Sequence, residues 1–286
     1  MDDNLLQIII LAVVQGLTEF LPVSSDGHLI VVGSLYQSLT GSTLDGDQIT
    51  LTIALHAGTF VTVLVVFRAQ IIRLLKEDRR VVPLLVVGTI PAALFGILLK
   101  KTAWGKALLE SPIAAGIGLV ATGVILLWGT RTSEHLSAAG DADPAEESAR
   151  DVGRIRYPQL NYLQTLIIGC FQAAAVLAGV SRSGSTIASG LRLAKLRRED
   201  AANFSFLLSI PAIGGAVFLE CIELVRKGDA NGFSVGHLAI GAVISMLVGI
   251  VALRWLLTWV RGGRLHLFAY WCIPLGLIVT VWQLAA

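Results

Sequence analysis

Residues 19–28 read EFLPVSSDGH, and residues 178–186 read AGVSRSGST. Each is a polar, glycine-containing break in otherwise apolar sequence. The first follows LLQIIILAVVQGL and precedes LIVVG; the second lies between the apolar runs 160–178 and 186–195. The apolar arms, 4–20 and 28–39 around one break and those two around the other, are too short or too interrupted to cross a bilayer, which takes about 20 residues. Short arms around a polar break predict two re-entrant helix–loop–helix hairpins, because irregular backbone at membrane depth persists only where protein or water covers it.

The rest of the chain supplies the membrane. Of its 286 residues 55% are hydrophobic and only 15% charged, with mean hydropathy +0.74; soluble domains carry roughly 25% charged residues. Six runs are of spanning length or close to it: 49–67, 81–99, 112–128, 201–225, 236–260 and 265–285. They predict an all-α polytopic membrane protein in one membrane domain. A net charge of +2, without basic runs interleaved with aromatics, gives no sign of a nucleic-acid partner. Cys170, Cys221 and Cys272 have neither zinc nor disulfide spacing and read as buried, inert thiols. Met1–Asn4 has two aspartates instead of a basic region, so the first apolar segment is expected to stay in the mature protein.

The order is hairpin, three spans, polar linker, hairpin, three spans. This divides the chain into a first repeat, 1–130, a cytoplasmic linker, 131–158, and a second repeat, 159–286. A shift of 157 residues superposes Gln15 on Gln172, Ser24 on Ser181, Ser25 on Arg182, Asp26 on Ser183 and Gly27 on Gly184. Three spans per half is odd, so the halves are predicted to lie with opposite topology, as inverted repeats do. Placing loop 68–80 in the cytoplasm puts 15 Lys and Arg on that side and Lys100, Lys101, Lys106, Arg226 and Lys227 on the other. The positive-inside bias then puts both termini outside and brings the breaks together near mid-membrane.

The polar residues define a chemistry. Gln15 and Glu19, four apart, share a helix face. Pro22 ends that helix, and Ser24, Ser25 or Asp26 caps the next, which starts near His28. The second break again offers hydroxyls at a helix start (Ser181, Ser183, Thr186) together with Arg182. An acid, an imidazole, hydroxyls, a planar guanidinium and two helix starts suit phosphoryl chemistry. The hydroxyls also serve as plain caps, Asp26 as a capping residue, and His56 either borders this site or packs. Ser25 is the candidate nucleophile, with Glu19 or His28 taking its proton. Direct attack by water is the alternative.

QGLTEFLPVSSDGH (15–28), AGVSRSGST (178–186) and FSFLLSIP (204–211) together resemble the bacterial undecaprenyl-diphosphate phosphatases of the bacitracin-resistance type, over essentially the whole chain. The resemblance implies hydrolysis of a C55 polyprenyl diphosphate to the monophosphate carrier of cell-wall synthesis, in the bacterial plasma membrane. It implies catalytic Ser25, Glu19, His28 and Arg182, and a phosphate site of Ser24, Ser181, Arg182, Ser183 and Thr186. It also implies a divalent cation, Mg²⁺ or Ca²⁺, for which Gln15 and Glu19 are the candidate ligands. Partners would be the lipid substrate and the bilayer, with a homodimer left open. Ala178 departs from the family's usual proline, and Asp26 from its usual Thr or Ser. The acid-phosphatase type of lipid phosphatase fits less well: Asp26 interrupts its Ser-Gly-His motif, and Ala188 stands where its nucleophilic histidine belongs. A lipid-carrier flippase is the other class that the two-hairpin plan admits.

Overall fold

The structure is a computed structural model; it describes residues 3–40, 48–130, 155–227 and 234–285. The described residues form twelve α-helices. The first hairpin is α1 (Asp3–Thr18) and α2 (Ser25–Thr40). Then come α3 (Gln48–Val66), α4 (Arg68–Lys76), α5 (Val81–Lys101), α6 (Ala103–Glu110) and α7 (Pro112–Thr130). The second hairpin is α8 (Tyr162–Ala174) and α9 (Arg182–Arg192), followed by α10 (Arg198–Lys227), α11 (Val235–Arg261) and α12 (Ala269–Ala285). Five helices are long and apolar enough to cross a bilayer, or six when α3 and α4, bent by 66°, count as one span. The protein is therefore a multi-pass membrane protein, and the six expected spans match α3, α5, α7, α10, α11 and the segment ending in α12.

The contacts carry the inverted repeat. Elements that correspond under the 157-residue shift meet each other head to tail. On α7 and α12, Gly116 abuts Gly276 and Thr280 while Gly123 abuts Ile273, so the helices run antiparallel. On α3 and α10, Phe60 faces Gly214 while Phe67, just past the end of α3, lies with its ring tilted against Phe206, again antiparallel. Helices from different positions in the two halves run parallel: Ile8 and Gly16 of α1 meet Gly241 and Gly249 of α11, and Gly88 and Gly96 of α5 meet Thr165 and Val176 at the α8 side. Antiparallel like pairs beside parallel unlike pairs are what a two-fold axis in the membrane plane requires.

Both breaks rest on the last span of the opposite half. Pro22 O accepts from Cys272 Sγ of α12 at 3.7 Å. Gly179, 157 residues later, lies against the Ala115 carbonyl of α7. Thr122 of α7 adds a clamp, donating to Gly179 O at 2.9 Å and accepting from Ser181 N at 2.8 Å. The largest apolar core gathers around Phe20, Phe67, Phe204 and Phe206, beneath the first break.

Three expectations change. Residues 155–158 do not belong to a free linker. Ile155 pairs with the Lys195–Arg197 segment, and buried Tyr157 donates its N–H to Asp200 Oδ1 at 3.1 Å. Residues 131–154 lie outside the described residues. Loop 68–80 contains helix α4, which an apolar stripe anchors through buried Leu74. Cys170 and Cys221 are exposed on helix surfaces, and Cys272 alone of the three is buried, because the first two sit on outward-facing positions of apolar helices.

Candidate active site

The site is built where the two breaks touch. α1 ends at Thr18, yet Glu19 N still donates to Gln15 O at 2.9 Å, so Glu19 extends the helix face that Gln15 occupies. The chain then turns through Pro22 to Ser24, which takes φ 68°. That left-handed backbone is unfavourable for a residue with a Cβ and turns up in structures mostly where the surroundings enforce it. The Ser24 hydroxyl accepts from Gly27 N at 3.3 Å and caps α2, which leaves Ser25 as its first residue. The second break repeats the device: Ser181 caps α9 by accepting from Gly184 N at 3.1 Å. Gly27 and Gly179 lie so close that a Cβ on Gly27 would stand 2.9 Å from the Gly179 Cα.

Glu19 is the hub. Ser25 Oγ donates to its Oε2 at 2.7 Å, and Gln15 Nε2 donates to the same oxygen at 3.1 Å. Arg182, from the other half of the molecule, donates from Nη2 to Oε1 at 2.8 Å. The Arg182 Nη1 is buried and has no hydrogen-bond partner among the described residues. His56 of α3 brings Nε2 to 3.8 Å from Oε2, and its Nδ1–H donates to Thr52 O at 2.9 Å. Glu19 is 8% exposed, so this ion pair works where solvent screens little and truncating one partner strands a buried charge. A hydroxyl held on a buried carboxylate, with a spare guanidinium prong beside it, is the arrangement of an activated nucleophile at an anion site.

A cavity of about 380 Å³ opens onto these groups. Glu19, Ser24, Ser25, Ser181 and Arg182 line it, as the sequence pattern leads one to expect; Asp26, His56, Lys100, Gln172 and Glu220 line it as well. The remaining expected residues lie off its wall. Ser183 Oγ donates to Leu21 O at 3.4 Å, and Thr186 Oγ1 lies 2.6 Å from Ser205 Oγ, so these hydroxyls fasten the hairpins and α10. His28 is engaged on both ring nitrogens. Nδ1 donates to Ser24 O at 2.8 Å and Nε2 accepts from Trp271 Nε1 at 3.0 Å, which fixes the neutral tautomer and leaves no lone pair for Ser25. Glu220 was legible as an acid within an apolar span, a residue type that marks sites in membranes. Lys100 gave no signal beyond ending its span.

A resident metal cage does not form: among the described residues no three His, Cys, Asp or Glu side chains converge. A cation carried in on a diphosphate needs only one or two protein oxygens. The donors present fit that case. Glu19 supplies carboxylate oxygen at the cavity wall, and Gln15, off that wall and bonded to Glu19, keeps a buried Oε1 that has no donor among the described residues.

Fold and site together define an integral membrane protein whose two hairpins meet in a polar centre at the heart of an inverted repeat. The comparisons agree. Residues 8–278 match the family model described as bacitracin resistance protein BacA, and the chain belongs to that family. It is 45% identical over 282 residues to an undecaprenyl-diphosphatase of Rhodopirellula baltica, covering 99% of each chain. It is 38% identical to an undecaprenyl-diphosphatase of Desulfatibacillum aliphaticivorans, over 96% of this chain and 98% of that one. A further relative, from Methanosphaera stadtmanae, carries the same name at 35% identity, over 97% of this chain and 98% of its own.

Proposed function

We propose that the protein is an undecaprenyl-diphosphatase, releasing phosphate from a C55 polyprenyl diphosphate and returning the monophosphate carrier. The observation that carries this reading is the Ser25–Glu19–Arg182 chain, in which one carboxylate holds the hydroxyl at 2.7 Å and the guanidinium at 2.8 Å. The terminal phosphoryl group enters beside Arg182 Nη1, Ser24 and Ser181, near the helix starts whose first N–H groups have no intrahelical partner. Ser25 Oγ attacks the terminal phosphorus and its proton passes to Glu19 Oε2. The bond from that phosphorus to the bridging oxygen breaks, and the prenyl monophosphate leaves with the electron pair. Glu19 hands its proton to the leaving monophosphate; water then attacks the phosphoserine with Glu19 taking its proton, the bond from Ser25 Oγ to phosphorus breaks, and that proton returns to Ser25 Oγ as phosphate leaves. Direct attack by a water held on Glu19 uses the same groups in one step.

Arg182 neutralises charge that develops on the phosphoryl oxygens. His28 acts through Ser24, holding the carbonyl of the strained residue that aims Ser25. Glu19, with Gln15 behind it, would hold a Mg²⁺ or Ca²⁺, which would supply further charge neutralisation; chelation is expected to lower turnover and added cation to restore it.

The charge bias supports a cavity open to the outer face of the plasma membrane. A cysteine at Ser42 is then expected to react with an impermeant thiol reagent in intact cells, and one at Ala145 only after the membrane is opened; both positions lie outside the described residues. Phosphate release from prenyl diphosphate by purified protein in detergent tests the activity itself. A flippase moves the lipid without releasing phosphate.

A further inference from the structure

The inverted repeat is broken beside the site. The cleft between α3 and α11 and that between α5 and α10 correspond under the 157-residue shift, yet they differ. α3 and α11 are zipped together. Ser245 Oγ donates to Leu55 O at 3.0 Å and Thr62 Oγ1 to Met246 O at 2.9 Å, and a Cβ on Gly58 would collide with the Ala242 carbonyl and Ser245 Oγ. Gly215 is the repeat partner of Gly58. A Cβ there would meet nothing within 4 Å, and one on Gly96 across the cleft would meet only Val176 Cγ1, at 3.8 Å.

Both walls of the open cleft carry an internal proline, Pro91 in α5 and Pro211 in α10. Each removes a backbone hydrogen bond and bends its helix. The walls are tied at one end by Lys100 Nζ and Glu220 Oε1, 2.9 Å apart.

This cleft is the apolar part of the cavity that holds Ser25 and Arg182. Ala92, Ala93 and Ile97 line it from α5, and Ala216 and Leu219 from α10. From Thr89 to Lys100 it follows α5 for about 16 Å. Its rim faces outward, with Ile97 45% and Leu219 55% exposed. A substrate whose phosphate sits on Arg182 must place the rest of its structure somewhere continuous with that point, and the continuous space is apolar and open at the side.

We propose that the α5–α10 cleft binds the first isoprene units of the prenyl chain and that Gly96 and Gly215 set its bore. This rests on the phosphatase reading for the identity of the headgroup.

The test compares two diphosphates, the C55 prenyl substrate and short-chain isopentenyl diphosphate. Gly215→Leu and Gly96→Leu are expected to lower the ratio of kcat/KM for the long substrate over the short one by about tenfold or more, the scale on which apolar pockets discriminate by size. Gly215→Ala is expected to lie between. An unchanged ratio overturns the proposal, whether both activities survive or fall together. Should the unaltered protein release phosphate from neither compound, the phosphatase reading falls. The cleft is then read by a prenyl diphosphate bearing a photoreactive group in its first isoprene unit. Labelling of α5 or α10 is expected; labelling confined to other helices overturns the cleft.

Discussion

The two hairpins share a plan and divide the chemistry. Each ends one helix, turns through a break and starts the next with a serine cap, Ser24 on Gly27 N and Ser181 on Gly184 N. Their backbones reach that cap differently. In the first, the capping serine itself takes the positive φ, at 68°; in the second, Gly179 takes it at 83°, two residues before the cap. Their second helices differ too. Ser183–Leu191 of α9 are buried without interruption, whereas α2 has partly exposed residues from His28 onward. The second hairpin is a clamp packed on all sides that delivers one guanidinium. The first carries Ser25 and Glu19, the proposed nucleophile and base, at a strained turn. The scaffold occurs twice, and in the second copy Val176 and Arg182 stand where the first has Glu19 and Ser25.

Substitutions separate these roles, from the largest expected effect to the smallest. Ser25→Ala is expected to reduce phosphate release to background if phosphoserine forms; release that survives near the unaltered rate points to direct water attack. Glu19→Gln is expected to cost about 10²–10⁴-fold in kcat, the usual share of a positioned base. Arg182→Lys keeps the charge but loses the planar fork that holds Glu19 on one prong and offers the other to phosphate. A loss of about 10²–10³-fold is expected, and near-normal turnover in folded protein would reduce Arg182 to a general positive field. Gly179→Ala is expected to destabilise by about 1–3 kcal/mol, read by thermal unfolding in detergent, because its φ disfavours a Cβ that would also strike the Ala115 carbonyl. Ser24→Gly relieves a positive φ and loses a cap, so its Tm is expected to rise slightly. Ser181→Gly, with φ −70° and the same cap, is expected to lower Tm slightly. Equal responses from the two serines would erase the contrast.

Much of this was legible in the sequence. Apolar runs of spanning length gave the spans, and the 157-residue shift gave the repeat that the antiparallel α7–α12 and α3–α10 pairs display. Ser25, Glu19 and Arg182 were readable because acids, arginines and paired hydroxyls between apolar runs have few structural uses. Which hydroxyl faces the cavity was not readable. Ser181 and Ser183 are two residues apart in one motif, and Ser183 Oγ is turned to Leu21 O and Ser181 Oγ by the tertiary structure. His28 stands three residues from Ser25, but its direction depends on Trp271, 243 residues away. The open cleft was also hidden, because Gly58 and Gly215 look alike until their neighbours are known.

Glu19 and Arg182, from opposite halves, are proposed to act as one phosphoryl-transfer unit, and a double-mutant cycle tests that coupling. Phosphate release from prenyl diphosphate is measured for Glu19→Gln, Arg182→Lys and the double variant. Because the two side chains touch at 2.8 Å, the double variant is expected to lose little more than the worse single one, as members of one catalytic unit do. Losses that simply multiply would contradict the account and return the hairpins to separate tasks.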